Sequence, residues 1–506
     1  MVSRLKCTAK NIFFGYVSSI ISLLLGFISR TIFIKILSTT YLGVNGLFIN
    51  VLGVLSFAEL GIGTAMNYSL YKPVAEKDIE KLKSLMDFYK IAYRVIALVV
   101  TIIGLTLLPF LKYIVKDPGN VGNISVYYLI FLFNTVTSYF VSYKFSLVNA
   151  EQKNYIFSNI NTITSFVTVI MQIITLILFK NFLYYLLVAA VIGLIQKIFI
   201  NRYLNKKYPY LLDKNTKKIT KEELKPIKTN VIALIWHKIG EISIYQTDNI
   251  VISTFINVTT VGIISNYNLL ITSVSTFITI IFNSAIASLG NLMATEDVSK
   301  QYNTFKVYRF AAFWLYGFSS IAFYILLSPF ITLWIGSEMI ISDFTVLLIM
   351  INYYMVGHRI CINNIKSAGG IFDQDKYVAL LQGVVNLVVS IIMVKLIGLP
   401  GVYIGTIMSG ILATVIKPII VYKYAFQKDV RYYFIDGLKF ASAVTFSLVI
   451  CWIIKYNIIK NVTMFNFIVM MVVVTLVPNF LFLLFFRKND EFIYIKNIIL
   501  SKISRR

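Results

Sequence analysis

The chain has 506 residues, of which 58% are hydrophobic and only 14% charged, and it carries a formal net charge of +25. A water-soluble globule of this size cannot bury so large an apolar fraction, and a disordered chain would be far more polar. The apolar residues fall in long runs divided by short charged clusters, so the basic excess reads as loop charge on a membrane protein, not as a nucleic-acid surface.

A helix needs about 20 apolar residues to cross the hydrocarbon core. Met1 to Lys10 carries three basic residues, and the apolar run after it is too long for a cleaved signal peptide, so it is predicted to be the first span. The first six spans are predicted at 11–36, 43–71, 89–111, 124–148, 154–178 and 182–203, and the next six at 229–254, 260–293, 307–329, 342–364, 376–396 and 399–424. Two more follow at 433–455 and 463–486. The expected fold is an all-α polytopic membrane protein with 14 transmembrane helices. Two pseudo-symmetric six-helix lobes occupy 1–203 and 229–425, joined by a basic cytoplasmic linker at 204–228. Two extra helices lie in 426–486, and a basic cytoplasmic tail in 487–506.

Orientation follows from Lys and Arg. With the N-terminus inside, the inner loops and adjoining helix turns hold 35 of the 47 basic residues, the outer loops six and the spans six. By the positive-inside rule both termini are predicted cytoplasmic. The linker, with Lys206, Lys207, Lys217, Lys218 and Pro226, suits a segment lying against anionic lipid. No outer loop is long enough to fold into a domain, which weighs against a membrane polymerase or ligase. The chain has no metal-ligand spacing, nucleophile elbow, P-loop or dinucleotide fingerprint, and its three cysteines are far apart. No cofactor or metal is expected.

The chain also resembles itself. Gly43 matches Gly262, and Ala75, Asp78 and Lys81 match Ala294, Asp297 and Lys300. Pro109 and Phe110 match Pro329 and Phe330, Lys197 matches Lys417, and Gln152 and Tyr155 match Gln374 and Tyr377. The offset drifts only from 219 to 222. A repeat of six spans enters the membrane twice from the same side, so the copies are expected to be related by an axis along the membrane normal, with a cleft between them suited to alternating access.

Ionisable side chains inside a bilayer cost roughly 2.5–3.5 kcal/mol each on insertion scales and face a partner or a wet cavity. At about 100° per residue, Ser19, Ser22, Gly26 and Arg30 share one stripe of span one. Asn45, Ser56, Glu59, Gly63 and Asn67 share one stripe of span two, with Gly53 at its edge. His237, Glu241, Tyr245 and Asp248 share one of span seven, bordered by Lys238. The candidate cavity residues are therefore Arg30, Glu59, His237, Lys238, Glu241 and Asp248, and Glu59, Glu241 and Asp248 are candidates for exchanging a proton or sodium ion. The alternative is that these groups pair with one another and pin the lobes together. Lys35 and Lys439 are expected to snorkel to the interface, and Arg359 to mark the inner boundary. Tyr16 and Tyr245 lie near the polar stripes, where their rings could stack on sugars.

The stretch from Arg30 to Pro73, RTIFIKILSTTYLGVNGLFINVLGVLSFAELGIGTAMNYSLYKP, resembles the opening of Wzx-type polysaccharide flippases, chiefly through Tyr41 to Gly43 and Ala58 to Gly63. Asp248 to Ser253, followed by Val261 and Gly262, resembles that family's second-lobe opening. The wider superfamily includes multidrug/toxic-compound extruders and lipid II flippases. The resemblance implies a V-shaped helical bundle with a cationic central cavity. It implies transport of an undecaprenyl-diphosphate-linked oligosaccharide across a bacterial inner membrane for O-antigen, capsule or exopolysaccharide synthesis. A polysaccharide polymerase and chain-length machinery are the implied protein partners, besides the lipid-linked substrate and membrane lipid. Arg30 stands where such flippases tend to carry a basic cavity residue. Span seven departs from a purely cationic wall, because Glu241 and Asp248 accompany Lys238, which favours a mixed, ion-coupled site. The competing expectation is an ion-coupled multidrug or small-solute antiporter on the same fold.

Overall fold

In a bilayer every backbone N–H and C=O must be satisfied within the chain, and the long apolar runs meet that demand as helices. The computed structural model describes residues 2–59, 62–151, 153–213, 219–220, 224, 240, 246–371, 373–375, 377–458 and 461–503, and among them there is no strand. Among the described residues, twelve helices are long and apolar enough to cross a membrane, and Thr39–Leu55 is a shorter apolar one. The chain is a multi-pass membrane protein. Most of predicted span seven lies outside the described residues, as does about half of the linker.

The helices divide into two compact units, Met1–Gly262 and Ile263–Arg506. The first unit contains α1 (Val2–Ile36), α2 (Thr39–Leu55), α3 (Ile62–Glu76), α4 (Ile79–Thr106), α5 (Leu111–Ile114), α6 (Ile124–Ala150), α7 (Tyr155–Phe179), α8 (Phe182–Lys207) and α9 (Thr247–Phe255). Helix α10 (Val258–Ser284) begins there and continues into the second unit. That unit adds α11 (Ile286–Thr295), α12 (Val298–Ile335), α13 (Asp343–His358), α14 (Ile360–Ala368), α15 (Val378–Ile397) and α16 (Leu399–Val421). It ends with α17 (Arg431–Ile458), α18 (Met464–Phe486) and α19 (Asp490–Ile503).

Predicted span two is not one helix. It breaks after Leu55 into a 3-10 turn at Ser56–Glu59 before α3 begins. Ser56 donates its hydroxyl to Gly53 O at 2.6 Å, a local bond that competes with the helical ladder. Spans eight and ten break likewise, at Ala285 and Arg359. The loops predicted to lie inside are shorter than expected because helices run on into them. Asp78 caps α4 by accepting the Lys81 N–H at 2.9 Å, and its repeat counterpart Asp297 precedes α12 in the same position. The C-terminal segment is helical from Asp490, and Phe492 stacks on Trp314 of α12 with ring centroids 5.9 Å apart.

Without water as an opponent, helices in lipid associate through close packing and interhelical hydrogen bonds. Gly401 and Gly405, four apart on α16, let α15 approach so closely that a Cβ at Gly405 would lie 2.1 Å from Ser390 Oγ. The same seam is held by Asn386 donating to Thr406 Oγ1 at 3.2 Å and Ser390 donating to Val402 O at 3.1 Å. Helices α17 and α18 join α12 by aromatic packing, with Phe313 stacked on Phe440 at 4.4 Å. In the first unit Phe182 meets Tyr127 at 4.9 Å and Tyr41 at 5.1 Å, tying α2, α6 and α8 together.

Candidate functional site

The three polar stripes have different fates. Arg30 is half-buried on α1, within electrostatic reach of Tyr185 on α8. Glu59 sits in the 3-10 turn that breaks span two, where it accepts a hydrogen bond from Tyr93 of α4 at 2.7 Å. Tyr139 of α6 lies beside that pair, its ring 6.1 Å from that of Tyr93. The Glu59 carboxylate is thus bonded to a phenol of its own unit. Asp248 occupies the first turn of α9 and is half-buried. Just before it, Gln246 reaches α2 so closely that a Cβ at Gly53 would lie 2.8 Å from its Oε1. The edge of the span-two stripe and the approach to α9 therefore touch. His237, Lys238, Glu241 and Tyr245 lie outside the described residues. Lys35 is exposed in the last turn of α1.

A cavity of roughly 400 Å³ opens within the first unit among α4, α6 and α8. Lys90 and Arg94 of α4, Lys144 of α6 and Lys197 of α8 all line it. Lys144 is 2% exposed and donates to the amide oxygens of Asn201 and Asn205. Lys197 donates to Asn134 O at 2.9 Å and Thr137 Oγ1 at 2.7 Å. Every one of these partners is neutral. Among the described lining residues there is no carboxylate. Of the acids close in sequence to the lining residues, Asp213 pairs with Lys83 at 2.7 Å and Glu151 with Lys153 at 2.6 Å, while Asp87 of α4 lies within electrostatic reach of the lining residue Tyr143.

The second unit buries cations too. Arg309 of α12 donates to Tyr433 O at 2.7 Å and to His358 Nε2 at 3.2 Å, and its guanidinium lies 3.7 Å from the centre of the Tyr433 ring. Arg359 donates to Gly410 O at 2.9 Å, and Lys366 pairs with buried Asp375. A separate cavity of roughly 590 Å³ lies among α12, α13 and α17. Its walls are apolar, with Ile321, Met350, Leu448 and Trp452 among them and no charged residue among the described ones.

Arg359, at the break that follows α13, is 5% exposed, and Arg309 and Lys144, which a loop count groups with the loops, are 3% and 2% exposed. A loop count assigns such residues by distance from a span end, whereas burial depends on which neighbour offers an acceptor. One signal was available in the sequence. Lys197, Asn201 and Asn205 recur every four residues on one face of α8, and Lys90 and Arg94 do so on α4.

No protein-family profile and no curated protein matches this chain. Solved structures do. A lipid II flippase in an inward closed conformation superposes with a TM-score of 0.66 at 14% identity, covering 94% of this chain and 99% of that one. An inward-facing multidrug transporter of the MATE family gives 0.59 at 15% identity, covering 78% of this chain and 92% of that one. A MATE transporter of Vibrio cholerae gives 0.57 at 14% identity, covering 85% and 100%. At such identities the likeness is one of fold. The chain shares its fold with these structures, which are named as a flippase and two transporters.

Proposed function

We propose that the chain is a Wzx-type flippase that moves undecaprenyl-diphosphate-linked oligosaccharide repeat units from the cytoplasmic to the outer leaflet of a bacterial inner membrane. The product would feed O-antigen, capsule or exopolysaccharide assembly. The apolar cavity beside Trp452 carries this reading. A diphosphate-linked glycan cannot cross hydrocarbon unaided, because its charges and hydroxyls would be desolvated, while its tail must stay in apolar surroundings. An uncharged chamber of roughly 590 Å³ on membrane-spanning helices suits an isoprenoid chain. The head group would cross along a wet cleft walled by Arg30, His237 and Lys238, with Glu59, Glu241 and Asp248 as candidates for ion coupling. No covalent chemistry is required. A polymerase and its chain-length machinery are the expected partners, and both termini are expected to be cytoplasmic.

Deletion of the protein should trap lipid-linked repeat units in the inner leaflet. Thr445→Arg, which would bring a charge to the wall of the apolar cavity, should do the same while leaving protein in the membrane. Normal surface glycan with altered drug sensitivity would overturn the reading in favour of an ion-coupled multidrug or small-solute antiporter. The hydrogen bond between Glu59 and Tyr93 is the observation that favours that second reading, since it holds a carboxylate ready inside the helical bundle.

A further inference from the structure

The geometry points to a binding site for the phosphate head group of an anionic membrane lipid in the basic cavity of the first unit. The inference stands whatever the chain transports, because it rests on Lys90, Arg94, Lys144 and Lys197 and on none of the stripe residues.

The four cations sit on three helices around one space of roughly 400 Å³, a volume typical of small-molecule sites. Lys90 and Arg94 make no hydrogen bond or ion pair among the described residues, and they stand four apart on α4, where like charges repel. Asp87, one turn earlier on the same helix, makes no ion pair either. A cluster of this kind lowers its energy by taking an anion.

The internal repeat supplies an independent comparison. Lys90 is the twelfth residue of α4, and Arg309, 219 positions later, is the twelfth of α12. In the second unit α17 fills the space beside Arg309 and satisfies it with the Tyr433 carbonyl and ring. Helix α17 belongs to the part of the chain that has no counterpart in the first half. Lys90, the counterpart of Arg309, lines a cavity instead of meeting such a cover.

The rim identifies the ligand as amphiphilic. Phe140 of α6 and Ile198 of α8 line the same cavity and are 51% and 45% exposed on helices that span the membrane. A phosphate at the cations would leave attached acyl chains lying along these side chains. Lys90 and Lys144 lie in span ends predicted to be cytoplasmic, the level at which anionic lipid is found, and Arg94 and Lys197 lie one to two turns deeper.

The test is native mass spectrometry of the full chain in detergent, titrated separately with phosphatidylglycerol, phosphatidylcholine and inorganic pyrophosphate. The wild type should bind phosphatidylglycerol saturably and in preference to the other two. The double variant Lys90→Gln/Arg94→Gln should bind it at least about tenfold more weakly. A charge-matched control, Lys72→Gln/Arg431→Gln, which neutralises exposed cations, should bind as the wild type does. Both variants should melt at the wild-type temperature, since none of the four residues is buried. Equal phosphatidylglycerol binding by the wild type and the cavity variant would overturn the site. Pyrophosphate binding as tightly as the lipid would overturn the lipid as its ligand. Because no step measures transport, failure of this site and failure of the flippase reading are separate results.

Discussion

Thr40 and Thr259 share a hydrogen bond of 2.9 Å between their hydroxyls, and they are equivalent positions of the internal repeat, 219 residues apart. The contact around them is reciprocal. A Cβ at Gly43 would lie 1.9 Å from Val258 O, and a Cβ at Gly262 would lie 2.1 Å from Thr39 O. Each glycine of the repeat meets the residue four positions before its own counterpart. This is the signature of a two-fold contact, here built within one chain between α2 and the first turn of α10.

That crossing has no room for a side chain. Gly43→Ala and Gly262→Ala should each destabilise the protein by about 1–3 kcal/mol through overpacking. The double variant should cost less than the sum, because the first substitution already parts the helices. Thermal unfolding of the detergent-solubilised protein measures all three, and strict additivity would contradict the shared crossing.

Glu59 depends on Tyr93 for its hydrogen bond. Tyr93→Phe should cost about 1.5–3 kcal/mol, the worth of a hydrogen bond to a charged group. In the background of Glu59→Gln the same change should cost less. A double-mutant cycle on the unfolding midpoint reads the coupling, and its absence would show that the pair does not stabilise the break in span two.

Tyr433 serves Arg309 with its ring and its backbone, while its buried hydroxyl has no hydrogen-bond partner among the described residues. Tyr433→Phe should therefore be neutral or slightly stabilising. Tyr433→Leu should destabilise by about 2 kcal/mol, because it removes a desolvated cation–π contact. Equal melting temperatures for the two variants would refute the role of the ring.

Arg30 is one of the cations that the flippase reading places along the path of the head group. Arg30→Ala should reduce the rate of lipid-linked substrate appearing in the outer leaflet by roughly tenfold or more, the loss expected for a charge-assisted hydrogen bond, at unchanged protein level. Wild-type transport by this variant would remove Arg30 from the mechanism.

The membrane class, the helical fold, the near-219 repeat and most span positions were legible in the sequence. They depend on local hydrophobicity, helical period and spacing along the chain, which a bilayer converts directly into helices. That Gly43 and Gly262 match was legible as well. That they meet was not, because close approach depends on two backbones at once. The same limit applies to charge. Counting placed Lys144, Arg309 and Arg359 at loop boundaries, whereas packing buries them against Asn201, Tyr433 and Gly410. A cation's setting is decided by the acceptors that neighbouring helices present, and the chain brings those acceptors from 50 to more than 120 residues away only when it folds.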